Sequence, residues 1–368
     1  MGKEKISSRQ AINIIVSFLV GSTAVLGFSS SANQDSWISL VIATFMSVPI
    51  VLMYSRIMHI FPEKNLYDIT YELLGKIGGT IVSLIYIFFS FHLGALVVRD
   101  FTEFIQIVTL DETPQIIIAA FLLITCFFIL KNGIEVLGRL SVIFLFIIII
   151  VVALTFIFLT KDMKVDYIKP IFETNIKELF LDSIPILLFP FCDTVVFLGA
   201  LSPHLRSKDS PYKIFVSSIF ISSVILLIAL LRNILVLGVP TIKMLYFASY
   251  SAVSILNIGD FFSRVEILLA TNFLFAGIIK ITICLYSATK GVSKVFKIDN
   301  YRVMLAPICL FMIPYSGFLY ESTMQMMEVL KKTYSFLLLF EVIIPILIYI
   351  VVEIKVGKFK KVKIPEEC

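Results

Sequence analysis

Charge is what this sequence has least of. Of its 368 residues only 15% are Asp, Glu, Lys or Arg, 59% are hydrophobic, and mean hydropathy is +0.99. Soluble domains carry about 25% charged residues, so a water-soluble fold is excluded before any motif is read. Catalytic signatures are missing as well: there is no Walker loop, no HExxH, no paired CxxC and no glycine-rich dinucleotide fingerprint. The three histidines (His59, His92, His204) are scattered, which argues against a metal site. Of the five cysteines, Cys126, Cys192, Cys284 and Cys309 fall in or beside apolar runs and Cys368 ends the chain. An odd count placed this way argues against a disulfide framework. These absences lead us to expect no enzyme, no metal and no cofactor.

Long apolar runs are what the chain does have. About 20 apolar residues cross a hydrocarbon core roughly 30 Å thick, and runs of that kind lie at about 11–31, 37–57, 77–98, 115–131, 140–160, 185–203, 214–237, 265–288, 303–320 and 336–354. Their length and lack of alternation predict helices, not barrel strands, and hence an all-α integral membrane protein with ten transmembrane helices. The first run is too long for a signal-peptide core, and no small-residue cleavage site follows it. Of the 31 Lys and Arg, 20 fall on segments that share a side with the N-terminus and eight on the opposite side, with Arg232, Arg264 and Lys280 in or beside runs. The positive-inside rule therefore predicts both termini in the cytoplasm. The net charge of +5 needs no nucleic acid to explain it, because the basic loops face the anionic leaflet of the lipid bilayer.

The longest connection, 161–184, reads as an outside loop with a short interfacial helix. It splits a single transmembrane domain (1–368) into five-helix halves at 11–160 and 185–355, followed by a basic cytoplasmic tail at 356–368. Five is odd, so the second half enters the membrane from the other side, as an inverted repeat requires. Such repeats break the first helix of each half near the midplane. In the first run Gly21 and Gly27 bracket Ser22 and Thr23, and in the sixth "LFPFCDTVVFLG" holds Phe189, Pro190, Phe191 and Asp193. Small residues also serve ordinary helix packing, but the matched pair of breakers favours broken first and sixth helices.

Ionisable residues inside spans are functional candidates by default. Asp193 is the sharpest: it either caps the half-helix that resumes after the break or contacts a ligand ammonium or a cation. Arg99 with Glu103, and Glu135 with Arg139, are spaced i,i+4 and read as structural charge pairs. Thr282 and Tyr286 share a helix face beside Gly277, which leaves room for a neighbouring helix. Either their hydroxyls point inward toward a ligand, or Thr282 bonds its own backbone and Tyr286 is interfacial. The fifth run contains no lysine, so no fixed internal cation is available there.

Several phrases together resemble the B subunit of the spore germination receptors, in order over almost the whole chain. They are "GSTAVLGFSSSANQDSWISLVIA", "FPEKNLYDITYELLGKIGG", "VVRDFTEFIQIVTLDETP", "KNGIEVLGRLSVI" and "NIGDFFSRVEIL". Asp35-Ser36-Trp37 is a near match to that family's AspAlaTrp; Glu112 to Pro114 and the DFxxRxE cluster (Asp260, Phe261, Arg264, Glu266) are the most specific pieces. The resemblance implies the leucine-transporter-type 5+5 fold of the amino acid–polyamine–organocation permeases. It also implies a germinant sensor in the spore inner membrane that binds a small nutrient, typically an amino acid, and acts with an A subunit and a lipoprotein C subunit. Carried over, its pocket falls on Gly21, Ser22 and Thr23, the stretch Gly94 to Val97 (with Leu96), the sixth-helix break, and Thr282 with Tyr286. A proton- or sodium-coupled amino acid transporter acting alone is the competing expectation.

Overall fold

A chain with no water around its backbone must close every N–H and C=O bond within the segment, and a helix does so. Our computed structural model describes residues 4–21, 23, 32–206, 209–255, 266–332 and 334–362. Ser22, Gly27, Asp260, Phe261 and Arg264 lie outside them, as does the side chain of Glu266. Among the described residues all regular structure is helical, and the one β contact is an isolated bridge between Ile6 and Leu205.

The helices are α1 (Ser8–Val20), α2 (Ser36–Ile60), α3 (Leu66–Val108), α4 (Gln115–Lys131), α5 (Ile134–Leu159), α6 (Ile176–Ile186) and α7 (Val196–Ala200). After these come α8 (Pro211–Leu237), two short pieces α9 (Val239–Ile242) and α10 (Ala248–Ser254), α11 (Glu266–Val295) and α12 (Arg302–Phe318). The chain closes with α13 (Thr323–Lys332), α14 (Tyr334–Leu338) and α15 (Ile344–Val362). Among the described residues seven helical stretches are long and apolar enough to cross a membrane, and α1, α4 and α12 are shorter apolar helices. Each of the ten apolar runs overlaps one of these ten stretches.

Two boundaries differ from the hydropathy reading for a physical reason. The third helix is 43 residues long, because Asn65 and Asp68 form a capping box at its start and it continues past the apolar window through Arg99, Asp100 and Glu103. A charge ends a hydropathy window but not a helix when it has partners. The long helix changes direction at Gly75, whose φ of 70° a residue with a Cβ adopts only with strain. In the connection 161–184, a 3-10 turn at Val165–Ile168 stands apart, whereas α6, capped by Asn175, runs on into the sixth apolar run.

The centre of the bundle is α11, whose residues 278–289 are all buried. It lies against α1, α3, α4, α5, α7 and α12. Small residues let these helices come close: an added Cβ on Gly94 would sit 3.0 Å from Cys284 Cβ, and one on Gly199 would sit 2.4 Å from Ser287 Oγ. Outward-facing Phe121, Phe146 and Phe311 are each more than 60% exposed, as a lipid-facing surface requires.

One end of the bundle is closed by the chain's own start. Glu4 Oε1 accepts from Arg302 Nη2 at 2.8 Å, and Glu4 Oε2 accepts from the Ile134 N–H at 3.2 Å. The Lys5 N–H donates to Glu135 at 3.0 Å, while Lys5 Nζ donates to the carbonyls of Pro203 and Leu205, each at 3.1 Å. His204 completes the knot, with Nδ1 2.9 Å from the Glu4 carbonyl and Nε2 2.7 Å from the Tyr286 hydroxyl. At the far end, Asp35 accepts from the N–H groups of Phe172 and Thr174, both at 2.9 Å, tying the start of α2 to the long connection.

Candidate ligand site between the broken helices

The sixth apolar run does not continue as one helix. After α6 a widened π turn spans Leu187–Phe191, in which Phe189 leaves helical geometry (φ −117°, ψ 113°). Pro190 has no N–H to give to the ladder, so the hydrogen-bond pattern breaks here. A 3-10 turn, Cys192–Val195, follows before α7. The first helix likewise stops at Val20, with Gly21 as its last hydrogen-bonded residue.

Asp193 sits in the 3-10 turn with a wholly buried side chain, and it does not cap the helix that resumes. Its Oδ2 instead accepts from Lys280 Nζ at 2.7 Å, both side chains being at 0% exposure. Lys280 projects from the middle of α11, and its ammonium lies 4.9 Å from the ring of Phe18 on α1 and 4.4 Å from that of Phe189. Aromatic faces of this kind stabilise a desolvated cation. The lysine is thereby placed between the two interrupted helices.

A third ionisable side chain completes the cluster. Glu341, also wholly buried, faces Asp193 from a second π turn, Leu339–Ile343, in the last span. That wide turn frees backbone carbonyls, and two buried tyrosines occupy them. Tyr54 donates to the Glu341 carbonyl, and Tyr86 donates to that of Phe340 at 3.1 Å. Asp193 Oδ1 and both Glu341 carboxyl oxygens take no donor among the described residues. One lysine thus faces two carboxyl groups with acceptor capacity to spare.

The expected pocket residues divide. Gly21 belongs to the cluster: a Cβ there would lie 3.0 Å from the Phe18 carbonyl and 3.4 Å from Lys280 Cδ. Thr23 is buried and its hydroxyl has no partner among the described residues, and Phe189, Pro190, Phe191 and Asp193 form the break. Gly94 packs on Cys284 and Met312, while Val97 is buried and Leu96 partly so on the same helix. Thr282 gives its hydroxyl to the Ile278 carbonyl at 2.6 Å, and Tyr286 is committed to His204. The Tyr286 side chain is buried against His204 at the closed end of the bundle. Arg99 and Glu103 pair at 3.2 Å with both side chains buried, whereas Glu135 and Arg139, 3.7 Å apart, are largely exposed.

Sequence reasoning passed over Lys280 and Glu341. The available signal was the same one that flagged Asp193, an ionisable residue inside an apolar run, as in "GIIKITI" and "LLFEVII". The cluster is closed, with Asp193, Lys280 and Glu341 all at 0% exposure; beside Gly21 there is a separate cavity of about 20 Å³, lined by Val20, Arg232, Asn272 and Phe273 among others. That is room for about one water molecule.

A profile of a family described as spore germination protein (spore permease) matches residues 5–318. The chain belongs to the spore germination permease family. Among relatives, spore germination protein KB of Bacillus subtilis (strain 168) is 24% identical over 311 residues, covering 84% of this chain and 83% of that one. The putative spore germination protein YfkT of the same organism is 23% identical over 325 residues, covering 88% and 89%. Among solved structures, the nucleobase-cation-symport-1 family transporter Mhp1, in a closed conformation with bromovinylhydantoin bound, superposes with a TM-score of 0.66 at 11% identity. The match covers 92% of this chain and 75% of that one. This germination permease therefore has the leucine-transporter-type fold, and its charged cluster lies where the first and sixth helices are interrupted. It is a multi-pass membrane protein of receptor or permease type.

Proposed function

We propose that this permease-family chain is the nutrient-sensing subunit of a germinant receptor and that its ligand is a small zwitterion, an α-amino acid being the natural class. The observation that carries the reading is the buried Asp193–Lys280 pair with Glu341 beside it, set between two broken helices. Removing one partner of a buried ion pair leaves a desolvated charge and costs about 3–5 kcal/mol. A zwitterion avoids that penalty because it brings both signs. Its carboxylate replaces Asp193 on Lys280, and its ammonium takes up the spare oxygens of Asp193 and Glu341. A simple amine or a simple acid satisfies only one side and leaves the other charge buried alone. Selectivity for zwitterions then follows from electrostatics, before any side-chain pocket is considered.

The closed site also couples binding to motion. Asp193, Lys280 and Glu341 are at 0% exposure and out of a ligand's reach, so α1, the sixth-helix break and α11 must separate to accept an amino acid. A ligand that binds only the separated state shifts the population toward it. In this reading the shift passes to an A subunit and a lipoprotein C subunit in the spore inner membrane. The Lys and Arg bias supports a cytoplasmic location for the chain termini.

The surplus carboxyl favours a second reading, a proton- or sodium-coupled amino acid transporter, since one cation would balance the cluster. Liposomes holding the purified chain separate the two. The receptor reading expects binding without gradient-driven uptake; amino acid accumulation driven by an ion gradient would overturn it. Gly21→Leu tests the site itself, because any side chain beyond Cβ is driven toward Lys280. Spores carrying it should assemble the subunit normally yet fail to respond to nutrient, and normal germination at ordinary nutrient levels removes Gly21 from the site.

A further inference from the structure

We infer that the closed cluster holds one proton, shared between the carboxyl groups of Glu341 and Asp193, and that this proton restricts the site to ligands of zero net charge. The ligand class rests on the zwitterion reading, whereas the proton rests on the geometry of the closed cluster alone.

Three oxygens of the cluster lack a donor among the described residues: Asp193 Oδ1 and both carboxyl oxygens of Glu341. Yet the two carboxyl groups lie within hydrogen-bonding reach of each other, both at 0% exposure. An ionised carboxylate only accepts, so two of them cannot share a hydrogen bond, and their like charges repel. One proton resolves both conflicts. With an O–H on Glu341 aimed at Asp193 Oδ1, two of the three oxygens acquire a partner. The third becomes the carbonyl oxygen of an uncharged acid.

The charge count agrees. Lys280 balances Asp193, 2.7 Å away, and a second carboxylate would stand unpaired in a site closed to water, which is strongly destabilising. No other group around Glu341 supplies a positive charge. From α2, Tyr54 spends its hydroxyl on the Glu341 main-chain carbonyl, and from α3 Tyr86 spends its own on that of Phe340. Cys192 in the 3-10 turn and Cys284 on α11 are free, buried thiols. Asp100 on α3, 7% exposed and within electrostatic range of Lys280, can only add negative charge. Lys280 is the one cation facing Glu341 among the described residues.

A protonated dyad changes what the site accepts. An α-amino acid adds one charge of each sign. Its carboxylate on Lys280 and its ammonium on Asp193 leave the count at zero, and Glu341 keeps its proton. A simple amine adds a positive charge, so it enters only when the proton leaves to water and Glu341 becomes its partner. A simple acid needs a second proton instead. Amine and proton therefore compete for one place, while amino acid and proton do not, and Glu341 becomes the residue that sets the ligand's charge.

The test uses the full chain in nanodiscs. Infrared spectra should show a carboxylic-acid C=O band at neutral pH that Glu341→Gln removes and Asp100→Asn does not. The glutamine amide still donates to Asp193, so that variant should remain folded. A spectrum with no such band, or a band that only Asp100→Asn removes, overturns the proton. Calorimetry of the unmodified chain then tests the charge rule even if Glu341→Gln fails to fold. Common L-α-amino acids and the amines lacking their carboxylate are titrated at pH 6 and pH 8, in buffers of different ionisation enthalpy. An active amino acid should bind without net proton exchange, and its amine should not bind at pH 6. Proton uptake or release with the amino acid overturns the rule, as does an amine that binds equally well at both pH values. A band at Glu341 with no amino acid bound overturns the zwitterion reading and leaves the proton in place.

Discussion

A single methylene-chain ammonium, that of Lys280, is held by one carboxylate oxygen and two aromatic faces at complete burial. Its removal should hurt more than removal of Asp193. Lys280→Met leaves two carboxyl groups facing each other with no cation, whereas Asp193→Asn leaves Lys280 beside Glu341. We expect Lys280→Met to lower stability by about 3–5 kcal/mol and Asp193→Asn by less. The double variant should lose less than the sum, because the residues are coupled. Thermal unfolding of the purified variants checks the order; an additive double variant would show that the pair is not coupled. At this scale the sequence disclosed Asp193 as an anomaly but not its role. The partner is 87 positions away, and no local pattern announces that two interrupted helices will deliver it. Glu341 was harder still, because the π turn that aims it inward has the same residue alphabet as the helix around it.

Helices, by contrast, were legible as elements, although the third and sixth begin well before their apolar runs. Apolar runs of spanning length dictate them, and the proline and glycine at the two breaks are residues that cannot continue a hydrogen-bond ladder unaided. What composition does not carry is which face of each helix meets which neighbour. Gly277 illustrates this: the space it leaves is filled by Phe101, and a Cβ there would fall 1.9 Å from that ring. The ring cannot simply retreat, since Phe273 stacks on it at 3.8 Å between centroids. Gly277→Ala should therefore force α3 and α11 apart and cost about 1–3 kcal/mol, as overpacked cores do. The readout is the unfolding temperature in detergent, and an unchanged value would mean that the two helices have slack. Arg99 and Glu103 were read as a pair from spacing alone, yet the cavity they line is completed by the loop after α12, more than 200 residues on.

Across the whole molecule, the two ends of the bundle are unlike. The far end is open down to Arg99, while the other is bound shut by Glu4, Lys5 and His204. That knot carries a pH dependence. Burial is the main reason His204 titrates below the usual histidine value, with the Lys290 and Lys5 charges adding to it and the Glu4 backbone and charge opposing it. Released histidine titrates near 6.5. The closed arrangement is thus favoured above that pH and loses stability as pH falls toward the lowered value, since the released state takes up the proton first. Measured relative to an unstructured control peptide at each pH, trypsin should cut after Lys5 and Arg9 faster at pH 5.5 than at pH 7.5, and His204→Gln should flatten that difference. Equal cutting rates in the native protein would dissociate His204 from closure. Glu4 and Lys5 hold the loops before α5, α8 and α12 in one knot, and Lys5 Nζ also pairs with Glu63 before α3 at 3.2 Å. A reporter fused ahead of Glu4 hangs on the fastener itself and will mute or bias whatever the protein does, so labels belong beyond α15.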